Sequence, residues 1–276
     1  MKRRPAHHRR YKSRSESSPA SGQNASRSLT LDSAELPSAY ISTAVRHPLI
    51  YRKRVARVDS AAKPGDLISV YVEPDELLGY GLYNPKSEIA VRMLRYGAEL
   101  PDVTYWQGLL NDAVELRRGM LDLAAVTDTF RVVHAEADGL PGLVIDKFGD
   151  VLSAEVFSLG MFQRAGAILE LLAPLVEAKH WLVQPGPHTL AQEGFAAQSV
   201  LSDNCRKEVV VQEFGTKFRV RFQGGHKTGF FCDQRDNRKM LTNFCRDKNV
   251  LDLCCYTGGF SVQAMRLGQA KSVTGV

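Results

Sequence analysis

The sequence predicts a multi-domain protein of α/β and α+β class. A small β-barrel comes first, then an α+β middle domain, then the opening of a parallel α/β domain. Three observations lead there. Short alternating runs between turn residues fill 38–98. Strand and helix periodicities interleave over 99–222. Finally, the apolar run Val250-Leu251-Asp252-Leu253-Cys254-Cys255 passes through Tyr256-Thr257-Gly258-Gly259 into a helical pattern. The chain divides accordingly into 1–36, 37–98, 99–222 and 223–276.

Composition sets the limits. The chain has 276 residues and 44% hydrophobic content, enough for a sizeable core. No run approaches the ~18 apolar residues of a membrane span. The N-terminus lacks the apolar segment of a secretory signal, so the reading is cytoplasmic with no membrane partner. Net charge is +6, but residues 1–30 carry eight Lys or Arg against Glu16 alone, which is +7. The rest therefore sums to −1, and net charge gives no argument for nucleic-acid binding. Five cysteines, an odd number without paired zinc-ligand spacing, predict neither a disulfide framework nor a metal site.

Residues 1–36 are rich in Arg, Ser and His and poor in large apolar side chains, so they are predicted disordered. An RNA-touching tail and a transit peptide are also compatible with that composition. In the next segment, Pro64-Gly65-Asp66 marks a turn before the strand Leu67–Val72. Gly79–Pro85 reads as a strand and turn, and Glu88–Leu94 alternates as a strand. One short helix completes this barrel. Tyr80 and Tyr83 are either half-buried barrel residues or stacking platforms for bases.

Over 99–222, Leu109, Leu110, Ala113, Leu116 and Met120 recur at helical spacing and predict a helix from Tyr105 to Asp122. Strands follow at 129–136, 143–148 and 151–157, and a helix at 162–178. Two more strands flank a Gly-containing turn over 209–222. Arg131, Glu136 and His134 are candidate chemical groups; the blander reading makes them ion-pair and turn residues.

The run Asn249–Cys255, apolar except for Asp252, predicts a central parallel strand buried on both faces. A helix from Phe260 to Leu267 and a strand from Ala270 complete a β-α-β unit. Its ligand site falls at the carboxyl end of the first strand. Gly258 and Gly259 allow close backbone approach at a helix N-terminus. The spacing does not match the dinucleotide G-x-G-x-x-G pattern.

The turn Asp252–Phe260 resembles motif I of class I S-adenosylmethionine-dependent methyltransferases. The stretch Gly225-His226-Lys227-Thr228-Gly229-Phe230-Phe231-Cys232-Asp233-Gln234-Arg235-Asp236-Asn237-Arg238 resembles a block of the bacterial large-subunit ribosomal RNA cytosine-C5 methyltransferases. Arg131–Asp146 is similar to a second block of that family, and 38–98 resembles a PUA-like domain. The resemblance covers about 38–276. It implies a PUA-like β-barrel, a small α/β middle domain and a Rossmann-like class I methyltransferase domain, incomplete at Val276.

It also implies S-adenosyl-L-methionine as cofactor and large-subunit ribosomal RNA as partner. The residues it places at the cofactor are Lys227, Thr228, Phe231, Asp233, Arg235, Asp252, Cys254, Tyr256, Thr257, Gly258, Gly259 and Phe260. Asp233 is expected to cap the helix that follows, and Arg235 to be closer to the site than Arg238. In the family, the ribose-binding acid ends the second strand and the nucleophilic cysteine lies further downstream. Both positions fall beyond Val276, so no catalytic residue is assigned. The chain by itself is expected to bind cofactor weakly and to be inactive. A non-catalytic RNA-binding protein and a methyltransferase acting on another base remain alternatives. A homodimer is compatible with the sequence, which does not decide it.

Overall fold

The computed structural model describes residues 24–29, 36–222 and 230–276. Lys227 and Thr228 lie outside the described residues.

Six short strands form the first sheet: β1 (Ser38–Ile41), β2 (Leu49–Tyr51), β3 (Val55–Val58), β4 (Leu67–Val72), β5 (Glu76–Tyr83) and β6 (Ile89–Tyr96). Their order is β2-β6-β5-β4-β1-β3, with β1 parallel to β4. A 3-10 turn at Arg52–Arg54 is the helical element between them. The period-2 alternation gives the sheet two apolar faces. Ile68 and Val70 join Ala39, Ile41, Ile50, Val91 and Met93 on one side. Leu67, Tyr80, Leu82 and Leu94 pack into the main core on the other. Tyr80 is thus a core residue whose hydroxyl donates to the Ala98 carbonyl at 3.0 Å, and it cannot serve as a stacking platform.

Helix α1 (Val103–Val114) starts two residues earlier than the periodicity suggests, because the Asp102 carboxylate caps it through the Tyr105 N–H at 2.9 Å. Trp106, Leu110 and Ala113 are its buried face. Past Val114 the chain continues as a π-helix, Glu115–Met120. The wider turn rotates the expected stripe out of register, so Leu116 and Met120 are exposed. Arg117 turns inward instead and is gripped by both oxygens of Asp138 at 2.6 and 2.8 Å.

A five-stranded sheet forms the middle body: β7 (Thr129–His134), β8 (Leu143–Phe148), β9 (Val151–Val156), β10 (His180–Pro185) and β11 (Val200–Leu201), in the order β11-β10-β9-β8-β7. Helices α2 (Leu159–Phe162) and α3 (Ala165–Leu175) cross over between the parallel pair β9 and β10, and α4 (Thr189–Glu193) follows. Ile168, Leu169 and Leu172 of α3 enter the same core as Trp106. Strand β10, α4 and β11 have no counterpart in the sequence reading.

The first sheet is locked to this body by Glu193, which is 1% exposed. Its side chain accepts from Asn84 Nδ2 at 2.9 Å, Ser87 Oγ at 2.7 Å and Arg92 Nη2 at 2.9 Å. Residues 24–29 depart from the disorder expected of 1–36. Leu29 is buried in the main core, Arg27 pairs with Asp66, and its N–H donates to the Gln163 carbonyl at 2.7 Å.

Strands β12 (Glu208–Glu213) and β13 (Thr216–Arg221) form a hairpin. Phe214 and Gly215 both have positive φ (49° and 73°), the turn that matches the right-handed twist of a two-residue hairpin loop. Its inner face, Val209, Val211, Phe218 and Val220, packs on Phe148, Val151 and Leu182. The C-terminal unit is a 3-10 turn (Cys232–Gln234), α5 (Arg235–Thr242), β14 (Asn249–Asp252), α6 (Gly259–Arg266) and β15 (Ser272–Gly275). Strands β14 and β15 pair in parallel and form a two-stranded sheet among the described residues.

That sheet corrects two expectations. Strand β14 ends at Asp252, so Cys254 and Cys255 lie in the loop beyond it. Nor is it buried on both faces: Leu251 and Leu253 are 60% and 68% exposed, because no third strand or second helix covers them among the described residues.

Candidate functional site

A cleft of about 430 Å³ opens at the carboxyl end of β14. One wall is Phe230, Phe231, Asp233, Gln234 and Arg238; the other is the loop Cys254–Thr257 with Gly259 and Phe260 at the start of α6. Phe231 meets Tyr256 edge-to-face at 5.2 Å, so the two walls touch through aromatic rings. The loop is conformationally demanding: Cys254, Tyr256 and Gly258 have φ of 63°, 51° and 75°. Only at Gly258 is that geometry free of Cβ strain. At Gly259 a Cβ would come within 3.2 Å of Arg238 Cδ, so the absence of a side chain lets α6 approach the opposite wall.

Beneath the cleft lies a buried ion pair. Arg238 and Glu213 are 2% and 0% exposed. The guanidinium donates to the two Glu213 oxygens at 2.8 and 2.5 Å and to the Phe231 carbonyl at 3.0 Å. Its carbon also stands 4.7 Å from the centre of the Phe230 ring. Gln263 of α6 donates to the Glu213 carbonyl and carboxylate and accepts from Thr216 Oγ1. Four elements, β12, β13, α5 and α6, thus meet in one polar network that sets the distance between the cleft walls.

Of the residues assigned from sequence, Phe231, Asp233, Cys254, Tyr256, Thr257, Gly259 and Phe260 come together in this cleft. Gly258 is the residue before α6 and supplies its left-handed entry. Asp252 does not line the cleft: its carboxylate accepts from the Ser261 N–H at 3.1 Å and the Ser261 hydroxyl at 2.6 Å, tying β14 to α6. Asp233 makes no capping hydrogen bond, because the 3-10 turn displaces it from the first turn of α5. Arg235 is not among the residues that line the cleft and pairs with its neighbour Asp236, whereas Arg238 does line it.

The sequence reading missed Gln234 and Cys255 as lining residues, and the roles of Glu213 and Gln263; Phe230, read either as a flank of the cofactor or as core packing, lines the cleft and is buried. Gln234 and Arg238 stand four apart and so share a helix face, a signal that was available. Glu213 also falls on the inward parity of β12 with Val209 and Val211, which marks a buried carboxylate in need of a cation.

Other candidates are structural. Cys232 lies 3.6 Å from Thr129 Oγ1 in the core, and burial pushes its thiol far above the ordinary range. It is no thiolate nucleophile. Arg131 grips the fully buried Asp146 at 2.9 and 3.2 Å. Glu136 stands 3.9 Å from Arg92, and His134 is exposed at the end of β7. No group of three or more His, Cys, Asp or Glu suited to a metal occurs among the described residues. No helix there is long and apolar enough to cross a membrane.

A glycine-entered helix after a parallel strand, facing an aromatic cleft, is the geometry of a site for a nucleoside-bearing ligand. The family model for S-adenosylmethionine-dependent methyltransferases matches residues 131–275, and that for a PUA-like domain matches 42–96. The chain belongs to the S-adenosylmethionine-dependent methyltransferase family.

Among similar proteins is "Ribosomal RNA large subunit methyltransferase I" of Alteromonas mediterranea, 34% identical over 242 residues, covering 87% of this chain and 60% of the relative. The protein of that name from Aeromonas hydrophila is 33% identical, covering 84% and 59%. A "Ribosomal RNA large subunit methyltransferase" of Deinococcus radiodurans is 31% identical, covering 83% and 58%. The chain thus spans about three fifths of the length of these relatives.

Two solved structures share the fold. One, from Streptococcus mutans, is described as a SAM-dependent methyltransferase; its TM-score is 0.67 at 18% identity, covering 86% of this chain and 62% of that one. The other is a methyltransferase complexed with SAH, with a TM-score of 0.65 at 20% identity, covering 83% and 58%.

Proposed function

We propose that this protein takes part in S-adenosylmethionine-dependent methyl transfer to large-subunit ribosomal RNA, at C5 of a cytosine. The observation that carries the reading is the cleft. It offers a nucleoside-sized volume, aromatic walls and a glycine-entered helix at the end of a parallel strand. These are properties that an adenosine-bearing sulfonium ligand requires. When bound, that cofactor supplies the electrophilic methyl group. Phe231, Tyr256 and Phe260 would enclose it, Gly259 would leave room for it, and Asp233 and Gln234 would offer polar contacts at the rim. On the same reading Lys227 and Thr228 belong to the cleft entrance, and 37–98, 99–222 and 223–276 act as successive domains.

The ribosomal RNA target is favoured by the names of the relatives and by the PUA-like match. The C5 assignment rests on the resemblance of Gly225–Arg238 to the cytosine-C5 block. C5 transfer needs a thiolate that attacks C6 of the base. Cys232 is too buried for that role, and we assign it to none of the five cysteines. The 276-residue chain is accordingly proposed to bind cofactor weakly and to transfer no methyl alone, consistent with the exposed Leu251 and Leu253.

Two measurements test this. Calorimetry should detect weak binding of S-adenosylmethionine to the chain, abolished by Phe231→Ala; no binding, or binding that survives the substitution, counts against the cleft. Large-subunit ribosomal RNA from cells that lack the gene should be missing a 5-methylcytidine that wild-type cells carry, read by nucleoside mass spectrometry. Loss of a methylated guanosine instead would overturn the C5 assignment, and no change in any methylated nucleoside would overturn RNA methyl transfer.

A further inference from the structure

We infer that the outer face of the β12–β13 hairpin is a contact surface for the phosphate backbone of the RNA substrate. The inference rests on the RNA reading above and adds to it the place where RNA lies. The hairpin alternates strictly. Val209, Val211, Phe218 and Val220 point into the core, and their neighbours point to solvent. On β13 every outward position is a cation: Lys217, Arg219 and Arg221. A rise of ~3.4 Å per residue sets successive charges about 7 Å apart in a straight row. The approach to β12 adds exposed Lys207 and Arg206, the latter paired with Asp150 of the middle body at 3.5 Å. Against these five cations the hairpin exposes one carboxylate, Glu208, which sits across from Arg221 and bridges Arg219 at 3.4 Å and Arg221 at 3.1 Å.

Such a concentration is not a property of the body as a whole. Outside residues 1–30 the chain sums to −1, so the excess on this face is local; a second exposed basic run, Arg52, Lys53, Arg54 and Arg57, lies on the first sheet, away from the cleft wall. The occupant that matches a row of evenly spaced, solvent-facing cations is a polyanion with evenly spaced charges. The row is also well placed. Phe218, inward from the same strand, packs at 5.2 Å against Phe230, which lines the cleft. Phe222, next after Arg221, lies in the same cluster as Phe230. The basic face is therefore one strand's thickness from the cleft wall. RNA held there by its backbone lies alongside the site without occupying it, as a phosphate contact should.

Cations on an edge strand also discourage strand pairing between molecules. Two variants of the 276-residue chain separate that role from RNA contact, because the RNA reading predicts opposite signs. Binding of a short fluorescein-labelled single-stranded RNA of mixed sequence is followed by anisotropy as salt rises from ~50 to ~200 mM. In Lys217→Gln/Arg219→Gln/Arg221→Gln, affinity should fall ~10- to 100-fold near 0.1 M salt. The slope of log K against log salt should fall by about 2, the release of about 0.7 counterion per lost contact. In Glu208→Gln, which frees Arg219 and Arg221, affinity should rise about two- to fivefold. The melting temperature reports folding in both.

RNA binding that is the same in wild type and both variants overturns the inference and leaves the RNA substrate standing. Loss in both variants shows a structural role for the hairpin face and also overturns it. If the wild-type chain binds no RNA, the RNA reading itself fails and this inference with it.

Discussion

The Glu213–Arg238 pair makes a sharp energetic prediction. At about 3 Å and an effective dielectric near 20, two unit charges attract by roughly 5–6 kcal/mol. Stripping water from both ions costs a comparable amount, so the intact pair contributes little net stability. Removing one member is different. In Arg238→Met, the Glu213 carboxylate keeps only the Gln263 amide as a donor in a site it shares with no solvent. In Glu213→Leu, the guanidinium keeps the Phe231 carbonyl and the Phe230 ring among the described residues, and no counter-charge. Each single variant should lose ~3–5 kcal/mol. The double variant, which replaces both ions with apolar groups of similar size, should lie within about 1 kcal/mol of wild type. Urea denaturation followed by circular dichroism gives all four stabilities. A coupling near zero, with the singles adding to the double within ~0.5 kcal/mol, would refute the reasoning. So would single losses below about 1 kcal/mol. The stable double variant should still bind S-adenosylmethionine less well than wild type, since Arg238 sets the position of Phe231 in the cleft wall.

Further outcomes follow from other sites. Gly258→Ala forces a Cβ into φ of 75°, and should cost about 1–2 kcal/mol and weaken cofactor binding in calorimetry. Glu193→Ala strands Arg92, Asn84 and Ser87 between the first sheet and the middle body; chemical denaturation should show a loss of ~3–5 kcal/mol, whereas a loss under 1 would mean water replaces the carboxylate. Alkaline pH should destabilise the fold through Cys232. Burial raises its thiol above the ordinary value of 9.0, so above pH 9.0 the unfolded chain releases a proton that the folded chain retains. That contribution is complete below 9.0 and is lost as pH rises, by up to ~1.4 kcal/mol per unit. Cys232→Ala should flatten the slope, measured as urea stability between pH 8.5 and 10.5; an unchanged slope would show that the thiol is not responsible.

The local elements were legible in the residues themselves. Strand β4 occupies the predicted Leu67–Val72, and the hairpin around Gly215 and the glycine-entered helix α6 also appear where predicted. Period-2 and period-3.6 burial and turn chemistry act over a few residues, so they can be read along the chain. The loop Cys254–Phe260 was likewise legible as one wall of a cleft, because strand, glycine and helix are contiguous in sequence.

What required tertiary structure is whatever depends on partners distant in the chain. Asp252 looked like a cofactor ligand and serves Ser261. Arg235 looked nearer the site than Arg238, yet Glu213, 25 residues away in sequence, draws Arg238 inward. Leu116 and Met120 fit a helical stripe that a π-turn throws outward. Tyr80 had two readings until the middle body covered it. Propensity and periodicity determine which face of an element is apolar. Which charge is buried, and against which counter-charge, is decided only when separate elements pack, because an ion's burial is tolerated only where its partner arrives from elsewhere in the fold.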